Sequence, residues 1–179
     1  MFDGRLTKSA DDSVVFEGCE WMSCAVDELQ PGLIRYVETF VKDRETARDI
    51  VQDSFMKLHQ HSDQPTAKGL KPWMYRVCRN AAIDHLRKEK RMTKTEIQES
   101  QILAKTKTNP AETIEQQDTF RVVMSEVAML SSNQQEVLRL KFQSGFSYQE
   151  IADVTGLKLS NVGVLLHTAI SKLREKLKD

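Results

Sequence analysis

The apolar residues of this chain recur every three or four positions, the spacing of one face of an α-helix. In residues 44–60, five apolar side chains and one serine follow this spacing: Ala47, Ile50, Val51, Ser54, Phe55 and Leu58. No convincing stretch alternates apolar and polar residues, as a half-buried β-strand does. The sequence therefore predicts an all-α protein.

Glycine and proline indicate where the N-terminal helices begin and end. One helix is expected from about residue 20 to 41, and the pair Pro31-Gly32 could interrupt it. Residues 61–69 have the composition of a loop. Pro72 is expected at the start of the next helix, because proline needs no amide partner there. That helix is predicted to run to about residue 91, with four side chains buried: Trp73, Val77, Ala81 and Leu86.

A polar, weakly patterned stretch separates this part of the chain from a second helical part. Residues 93–112 end close to Asn109-Pro110 and are predicted to be a flexible linker. The predicted architecture is therefore two small helical domains, residues 20–92 and 113–179. An acidic N-terminal segment, residues 1–19, precedes them.

Composition excludes several classes of protein. Hydrophobic residues make up 40% and charged residues 29% of the chain, and no apolar run approaches the roughly 18 residues that a membrane span needs. The N-terminus lacks the pattern of a secretory signal, so a cytoplasmic protein is expected. Cys19, Cys24 and Cys78 lack C-x-x-C spacing, which favours reduced, buried thiols over a disulfide framework or a zinc site.

A net charge of zero conceals an uneven distribution of charge along the chain. Residues 1–30 contain seven acidic and two basic side chains, whereas residues 68–94 contain nine basic and two acidic ones. A local basic patch of this kind is typical of a protein that binds a polyanion.

Residues 146–177 have the features of a helix-turn-helix. Ser147 and Glu150 match a capping box, Gly156 can end the first helix in the left-handed conformation, and Ser160 is expected to cap the second helix. The predicted buried stripe of the second helix is Val162, Leu166, Ala169, Leu173 and Leu177. Leu157 and Leu159 are expected to pack the turn. Val137, Leu138, Leu140 and Phe142 are expected to pack behind the pair.

The second helix of this motif would enter the major groove of DNA. Its groove-facing positions would be Ser160, Asn161, Gly163, Val164, His167 and Thr168. Asparagine can read adenine, and small side chains can contact a thymine methyl group. Basic residues begin only at Lys172, so this domain alone is expected to bind DNA weakly and with a shallow salt dependence.

Three stretches of the chain resemble one family. "ARDIVQDSFMKLHQ" and "KPWMYRVCRNAAIDHLRKEKR" resemble region 2 of the sigma-70 family of bacterial RNA polymerase initiation factors. "LSSNQQEVLRLKFQSGFSYQEIADVTGLKLSNVGVLLHTAISKLREKL" resembles their region 4. With these two regions and a short linker, the chain resembles an extracytoplasmic-function (ECF, group 4) sigma factor.

The resemblance implies polymerase contacts in both regions. The "DIVQDSF" helix would dock on the β′ clamp coiled coil of core RNA polymerase, and region 4 would meet the β flap. The implied polymerase-binding residues are Asp49, Gln52, Asp53 and Phe55. The residue pattern agrees in part, because Asp49, Gln52 and Asp53 share a face opposite the apolar stripe.

The resemblance also implies contacts with promoter DNA. The helix after Pro72 would bind the −10 element, with the loop at residues 61–70 capturing unstacked bases. The implied −10 contacts are Arg76, Arg79, Asn80, Arg87, Lys88 and Arg91. The implied −35 contacts are Ser160, Asn161, Val164, His167, Thr168 and Lys172. The family commonly has basic residues where this chain has Gly163, Leu165 and Thr168.

Three further side chains of the basic helix have expected roles. Trp73 and Tyr75 are the aromatic candidates for base stacking, although a core position is favoured for Trp73. Asp84 is expected to pair with a neighbouring arginine.

Two other non-enzymatic readings fit parts of the sequence. A stand-alone helix-turn-helix regulator would explain the C-terminal half but would be expected to bring a sensing domain containing strands. A protein-binding scaffold would use Val164 and Leu165 in an apolar interface.

Enzyme activity is the least favoured interpretation of the sequence. His59, His61 and Asp63 could suggest a metal site, but the two imidazoles would lie on different faces of a helix, and no fourth ligand or general base is evident. Cys19 and Cys24, a possible redox pair, lack C-x-x-C spacing. No enzyme activity, cofactor, metal site or small-molecule substrate is therefore predicted. An anti-sigma factor is the further partner that the resemblance implies; it could hold the chain at the membrane.

Overall fold

The structure, a computed structural model, describes residues 19–60, 67–93 and 123–176. The regular elements in these ranges are helices, without a strand, so the predicted all-α class is confirmed. The chain divides into two compact units, residues 1–95 and 96–179, each of which is described separately. None of the described helices combines the length and apolar character required to cross a membrane.

The described residues of the N-terminal unit form three helices that pack against one another: α1 (Cys19–Val41), α2 (Arg44–Gln60) and α3 (Ala67–Thr93). All six residues of the predicted α2 stripe are buried. The Ser54 hydroxyl within that stripe donates to the Ile50 carbonyl at 2.7 Å, so its burial leaves no unpaired polar group. The periodicity of α2 was therefore a reliable guide to its buried face.

Helix α1 continues through Pro31 without the interruption considered from the sequence. Beyond its last residue, Lys42 has a left-handed backbone with φ of 61°, and its amide donates to the Glu38 carbonyl. Asp43 then caps the N-terminus of α2: its carboxylate accepts from the Thr46 amide and hydroxyl, each at 2.7 Å. The hydrogen bond from the Thr46 amide is the main reason that the pKa of Asp43 lies below its usual value.

Helix α3 corrects two predictions. It begins at Ala67, so Pro72 lies inside the helix and not at its start. Its buried side chains are Leu70, Met74, Tyr75, Cys78 and Ala82. The predicted set of Trp73, Val77, Ala81 and Leu86 is only half-buried. From Met74 to Ala82 the buried stripe lies one position later than predicted, because α1 and α2 cover the neighbouring face of the helix.

The prediction of reduced, buried thiols is correct for Cys78 and correct only in part for Cys24, which is a free thiol but not a buried one. Cys78 is a buried free thiol in α3, whereas Cys24 is exposed on α1. Burial raises the pKa of the Cys78 thiol to about 11, despite a hydrogen bond with Ser54 that acts in the opposite direction. Cys78 is consequently protonated at neutral pH, as expected of an inert core thiol.

The C-terminal unit contains helical residues 123–128, followed by α4 (Ser132–Phe142), α5 (Tyr148–Thr155) and α6 (Leu159–Lys176). The predicted capping box of α5 is present: Ser147 accepts from the Glu150 amide, and the Glu150 carboxylate accepts from the Ser147 amide. Gly156 ends α5 with φ of 73°, in the predicted left-handed conformation. A second capping box, between Ser131 and Gln134, begins α4.

Several predictions for this unit are confirmed and others are wrong. Val137, Leu138 and Leu140 are buried, and so are the α6 residues Val162, Leu166 and Ala169. Phe142 is instead 67% exposed and Leu159 is 50% exposed. Helix α6 begins at Leu159, so Ser160 lies within its first turn and does not cap it. Leu173 is half-buried, and Leu177 lies outside the described residues, as does the predicted linker from residue 94 onward.

Candidate protein and nucleic-acid interfaces

Helix α2 has a polar, partly acidic surface opposite its buried stripe. Asp49, Gln52 and Asp53 are exposed there, as their helical spacing predicts. Phe55, the fourth proposed contact, is only 7% exposed and belongs to the core. It shares the spacing of Val51 and Leu58, both fully buried. In this structure Phe55 therefore presents almost no surface to a partner.

Met56 is the apolar side chain that this surface does present. It is 55% exposed, and it lies three residues after Asp53 and four after Gln52. The sequence contained this signal, because that spacing places Met56 on the polar face. We call Asp49, Gln52, Asp53 and Met56 the α2 face.

Helix α3 carries a basic surface opposite its buried stripe. Arg76, Asn80, Arg87 and Arg91 follow one another at spacings of four, seven and four residues, and all are exposed. Lys88 is also exposed, and Arg79 is half-buried. These six residues are the ones that the resemblance implied for contacts with DNA, and we call them the α3 face.

Asp84 pairs with a neighbouring arginine in this helix, as predicted. Arg87 Nη1 donates to Asp84 Oδ1 at 3.2 Å, and both side chains are largely exposed. An exposed pair of this type contributes at most about 1 kcal/mol. Its low strength would allow Arg87 to exchange the carboxylate for a phosphate.

The two aromatic candidates for base stacking have different environments. Tyr75 is 3% exposed, and its ring centroid lies 5.0 Å from that of Tyr36 in α1. It is a core residue, which excludes it as a stacking surface. Trp73 is half-buried, so it is neither the core tryptophan favoured from the sequence nor a fully exposed ring.

Helices α5 and α6 form the predicted helix-turn-helix. Three residues, 156–158, connect them, and Gly156 provides the left-handed turn. The Thr155 hydroxyl accepts from the Leu157 amide at 3.3 Å, and the Lys158 carbonyl accepts from the amides of Asn161 and Val162. These bonds define the direction in which α6 leaves the turn.

The surface of α6 opposite its buried stripe contains the proposed base-reading residues. Ser160, Asn161, Val164 and His167 are exposed there, and Thr168 is half-buried. Lys172 is exposed two turns after Val164. No Lys, Arg, Asp or Glu occurs between Leu159 and Ser171, so the first three turns of α6 contain no acidic residue and no lysine or arginine. We call Ser160, Asn161, Val164 and His167 the α6 face.

An apolar groove of about 410 Å³ lies on another part of the C-terminal unit. Helical residues 123–128, α4 and α6 line it with seven apolar side chains: Val123, Met124, Val127, Leu138, Phe142, Ile170 and Leu173. Arg139 and Arg174 are among its remaining lining residues. The exposure of Phe142 is explained by this groove, which the sequence did not reveal.

In residues 19–60, 67–93 and 123–176, no three His, Cys, Asp or Glu side chains are grouped to hold a metal ion. His61 and Asp63, considered from the sequence, lie outside these ranges.

Comparison with known families and proteins identifies relatives of both units. Residues 25–92 match the family described as Sigma-70 region 2, and residues 120–173 match Sigma-70, region 4. The chain is 28% identical over 141 residues to the ECF RNA polymerase sigma factor SigM of Bacillus subtilis (strain 168), covering 78% of this chain and 85% of that protein. It is 27% identical over 160 residues to the ECF RNA polymerase sigma factor SigL of Mycobacterium tuberculosis (strain ATCC 25618 / H37Rv), covering 88% and 89%.

A solved structure has the same fold. The sigma factor RpoE of Bartonella quintana, crystallised in complex with the anti-sigma factor NepR, superposes with a TM-score of 0.70 at 24% identity. The alignment covers 89% of this chain and 98% of that one.

Proposed function

The chain belongs to the sigma-70 family, as an ECF RNA polymerase sigma factor, and from this membership we propose that it is an alternative sigma factor. It binds core RNA polymerase, directs it to specific promoters and helps to melt the −10 element. Residues 20–92 act as region 2, residues 113–179 act as region 4, and residues 93–112 join them.

The observation that carries this proposal is the presence of both regions in one chain, each in a separate compact unit. A stand-alone helix-turn-helix regulator would account for the C-terminal unit only. It would leave the three-helix N-terminal unit, with its acidic and basic faces, without a role.

We assign polymerase docking in region 2 to the α2 face. Asp49 and Asp53 offer carboxylates to cations of the β′ clamp coiled coil, and Met56 supplies an apolar contact among them. Burial of an exposed methionine at the interface makes the free energy of binding more favourable, and this contribution does not depend on salt. Met56 takes the place of Phe55, whose ring is already buried in the protein core.

We assign the −10 element to the α3 face. Its four aligned residues Arg76, Asn80, Arg87 and Arg91 can follow a phosphate backbone along the helix. Trp73, three residues before Arg76, is half-buried and remains a candidate for stacking on an unpaired base. In this role the protein selects and opens the promoter, while the polymerase performs nucleotidyl transfer.

Region 4 has two surfaces for two partners in this proposal. The α6 face, with Thr168 and Lys172, reads the −35 element. The apolar groove receives the β flap, because a groove lined by seven apolar side chains is well suited to the apolar face of a helix. The two surfaces use different sides of α6, so they can be occupied together.

The cellular setting of the proposal follows from the family. We place the protein in the cytoplasm, without catalytic activity of its own. An anti-sigma factor is its proposed inhibitor, in keeping with the relative that was crystallised with one.

The deciding experiment measures binding to purified core RNA polymerase and promoter opening. We expect Asp49→Arg/Asp53→Arg to lower core binding at least tenfold, because two attractive charges at the interface become repulsive. The matched control is Asp27→Arg/Glu28→Arg, which reverses two exposed acidic residues of α1 and changes the net charge equally. The control is expected to bind and open promoters like the wild type.

Circular dichroism establishes that each variant is folded. If the wild type fails to bind core polymerase but binds duplex DNA alone, the regulator function is correct and the sigma function is rejected. Equal losses in the two double variants would show that net charge, and not the α2 face, governs binding.

A further inference from the structure

The α6 face contains one apolar side chain among polar ones. Val164 is 64% exposed, while Ser160, Asn161 and His167 around it carry hydrogen-bonding groups. Val164 lies four residues after Ser160 and three before His167, at the centre of the face. Exposure of a β-branched apolar side chain here costs hydration free energy that a partner could recover.

The edge of this face is defined by Tyr148 of α5. The ring atom Tyr148 Cε2 lies 4.0 Å from the position that a Cβ at residue 163 would occupy, so the ring lies beside the start of α6. Lys141 Nζ lies 5.4 Å from the centroid of that ring and donates to the Phe146 carbonyl. This cation is therefore held against the protein beside the uncharged first turns of α6.

In the major groove, an uncharged helix face can distinguish bases by two means. Its polar side chains can donate to or accept from base edges, and its apolar side chains can contact the 5-methyl group of thymine. With the proposed function as its basis, we propose that Val164 contacts the 5-methyl group of one thymine in the −35 element. Val164 is then a specificity-determining residue, and the group that it recognises is that methyl.

DNA fits this face better than a protein partner does. A protein interface has an apolar centre formed by several side chains, whereas Val164 is surrounded by Ser160, Asn161 and His167. A single methyl group of thymine, flanked by the polar edges of neighbouring bases, has the matching pattern.

The test uses holoenzyme assembled from this chain and core RNA polymerase. Promoters are first selected from duplexes with randomised −35 and −10 blocks. Each thymine of the selected −35 element is then replaced singly by deoxyuridine, which removes only the methyl group. Open-complex formation is measured for the wild type, for Val164→Ala and for Met129→Ala, a control at an 84% exposed apolar residue of the same unit.

We expect one deoxyuridine substitution to weaken the wild type about fourfold, the effect of one methyl-sized group lost from an apolar contact. The same substitution should have no effect in Val164→Ala and the full effect in Met129→Ala. This pattern would support the inference, because it couples one methyl to one side chain.

Three results would overturn the inference while leaving the sigma function intact. Either no thymine responds in a wild type that opens promoters, or the response persists unchanged in Val164→Ala. A Val164→Ala variant that instead loses core binding without DNA would place Val164 in a protein interface and also overturn it. A wild type that opens no promoter with core polymerase would reject the proposed function itself, and with it the basis of the inference.

Discussion

Phe55 and Met56 are adjacent in α2 and have opposite environments. Phe55 is 7% exposed and Met56 is 55% exposed. A helix turns by about 100° per residue, so one position decides whether a side chain faces the core or the solvent. An apolar residue next to an acidic motif is therefore not necessarily part of the motif's surface.

This contrast predicts different defects for two truncations. Phe55→Ala should reduce the free energy of unfolding by about 3–5 kcal/mol, because it leaves a cavity in the core. Met56→Ala should change that free energy by less than about 0.5 kcal/mol and still weaken binding to core polymerase. Urea unfolding and a binding titration would separate the two effects. If the Met56→Ala variant binds core polymerase with wild-type affinity, Met56 is not part of the docking surface.

Gly32 allows α1 and α3 to approach closely. A Cβ at residue 32 would lie 2.8 Å from Tyr75 Oη, and Tyr75 itself is buried against Tyr36. The buried ring has little freedom to move away. The glycine is required here by a neighbouring side chain and not by its own backbone conformation.

We therefore predict that Gly32→Ala is destabilising by about 1–2 kcal/mol, although alanine is the better helix former. In a Tyr75→Phe background the hydroxyl is absent, and the same substitution should become neutral or stabilising. Thermal and urea unfolding of the four proteins would measure this change of sign. A cost that is equal in both backgrounds would show that the hydroxyl is not the obstacle.

At the scale of the element, α6 combines a well-formed helix with an uncharged surface. Its first three turns, from Leu159 to Ser171, contain no Lys, Arg, Asp or Glu. Neutralisation of phosphates supplies most sequence-independent affinity for DNA. This helix can therefore contribute to the choice of promoter while adding little to overall attraction.

A substitution at Gly163 can change how much α6 contributes to the electrostatic attraction for DNA. Gly163→Lys should strengthen −35 binding and steepen the dependence of log affinity on log salt by about 0.9, the value for one added phosphate contact. Gly163→Ala is the control: it has no clash closer than 4.0 Å, and it should stabilise the unit by up to about 1 kcal/mol without changing the salt dependence. An unchanged slope for Gly163→Lys would place residue 163 away from the phosphates.

At the scale of the whole molecule, each of the two units has one surface proposed for DNA. The α3 face is basic and the α6 face is uncharged, and each unit has its own surface proposed for polymerase, the α2 face and the apolar groove. Binding through two linked sites exceeds the affinity of either site alone by roughly 10²–10⁴ when both can be engaged. Core polymerase would hold both units so that their two DNA surfaces can bind one promoter at the same time.

The chain alone should accordingly bind promoter duplex at least about 100-fold more weakly than the holoenzyme does. Fluorescence anisotropy with a labelled promoter, with and without core polymerase at one salt concentration, measures this difference. Equal affinities would contradict a sigma factor and support a regulator that acts alone.

The sequence by itself determined the features that depend on residues close together in the chain. The all-α class, the buried stripe of α2, the Ser147–Glu150 capping box and the left-handed Gly156 were all predicted and are all present. Each results from contacts within one or two helical turns or from the backbone freedom of glycine. Such interactions are nearly the same in any tertiary setting.

Tertiary structure alone decided which of two possible faces is covered. In α3, Trp73, Val77 and Ala81 form one apolar stripe, and Met74, Cys78 and Ala82 form another beside it. Only the second is buried, because α1 and α2 pack on that side. Phe142 likewise lines a groove formed with helical residues 123–128 and α6, which no local pattern reveals. Periodicity predicts that a helix has a buried face, but the neighbouring helices determine which face it is.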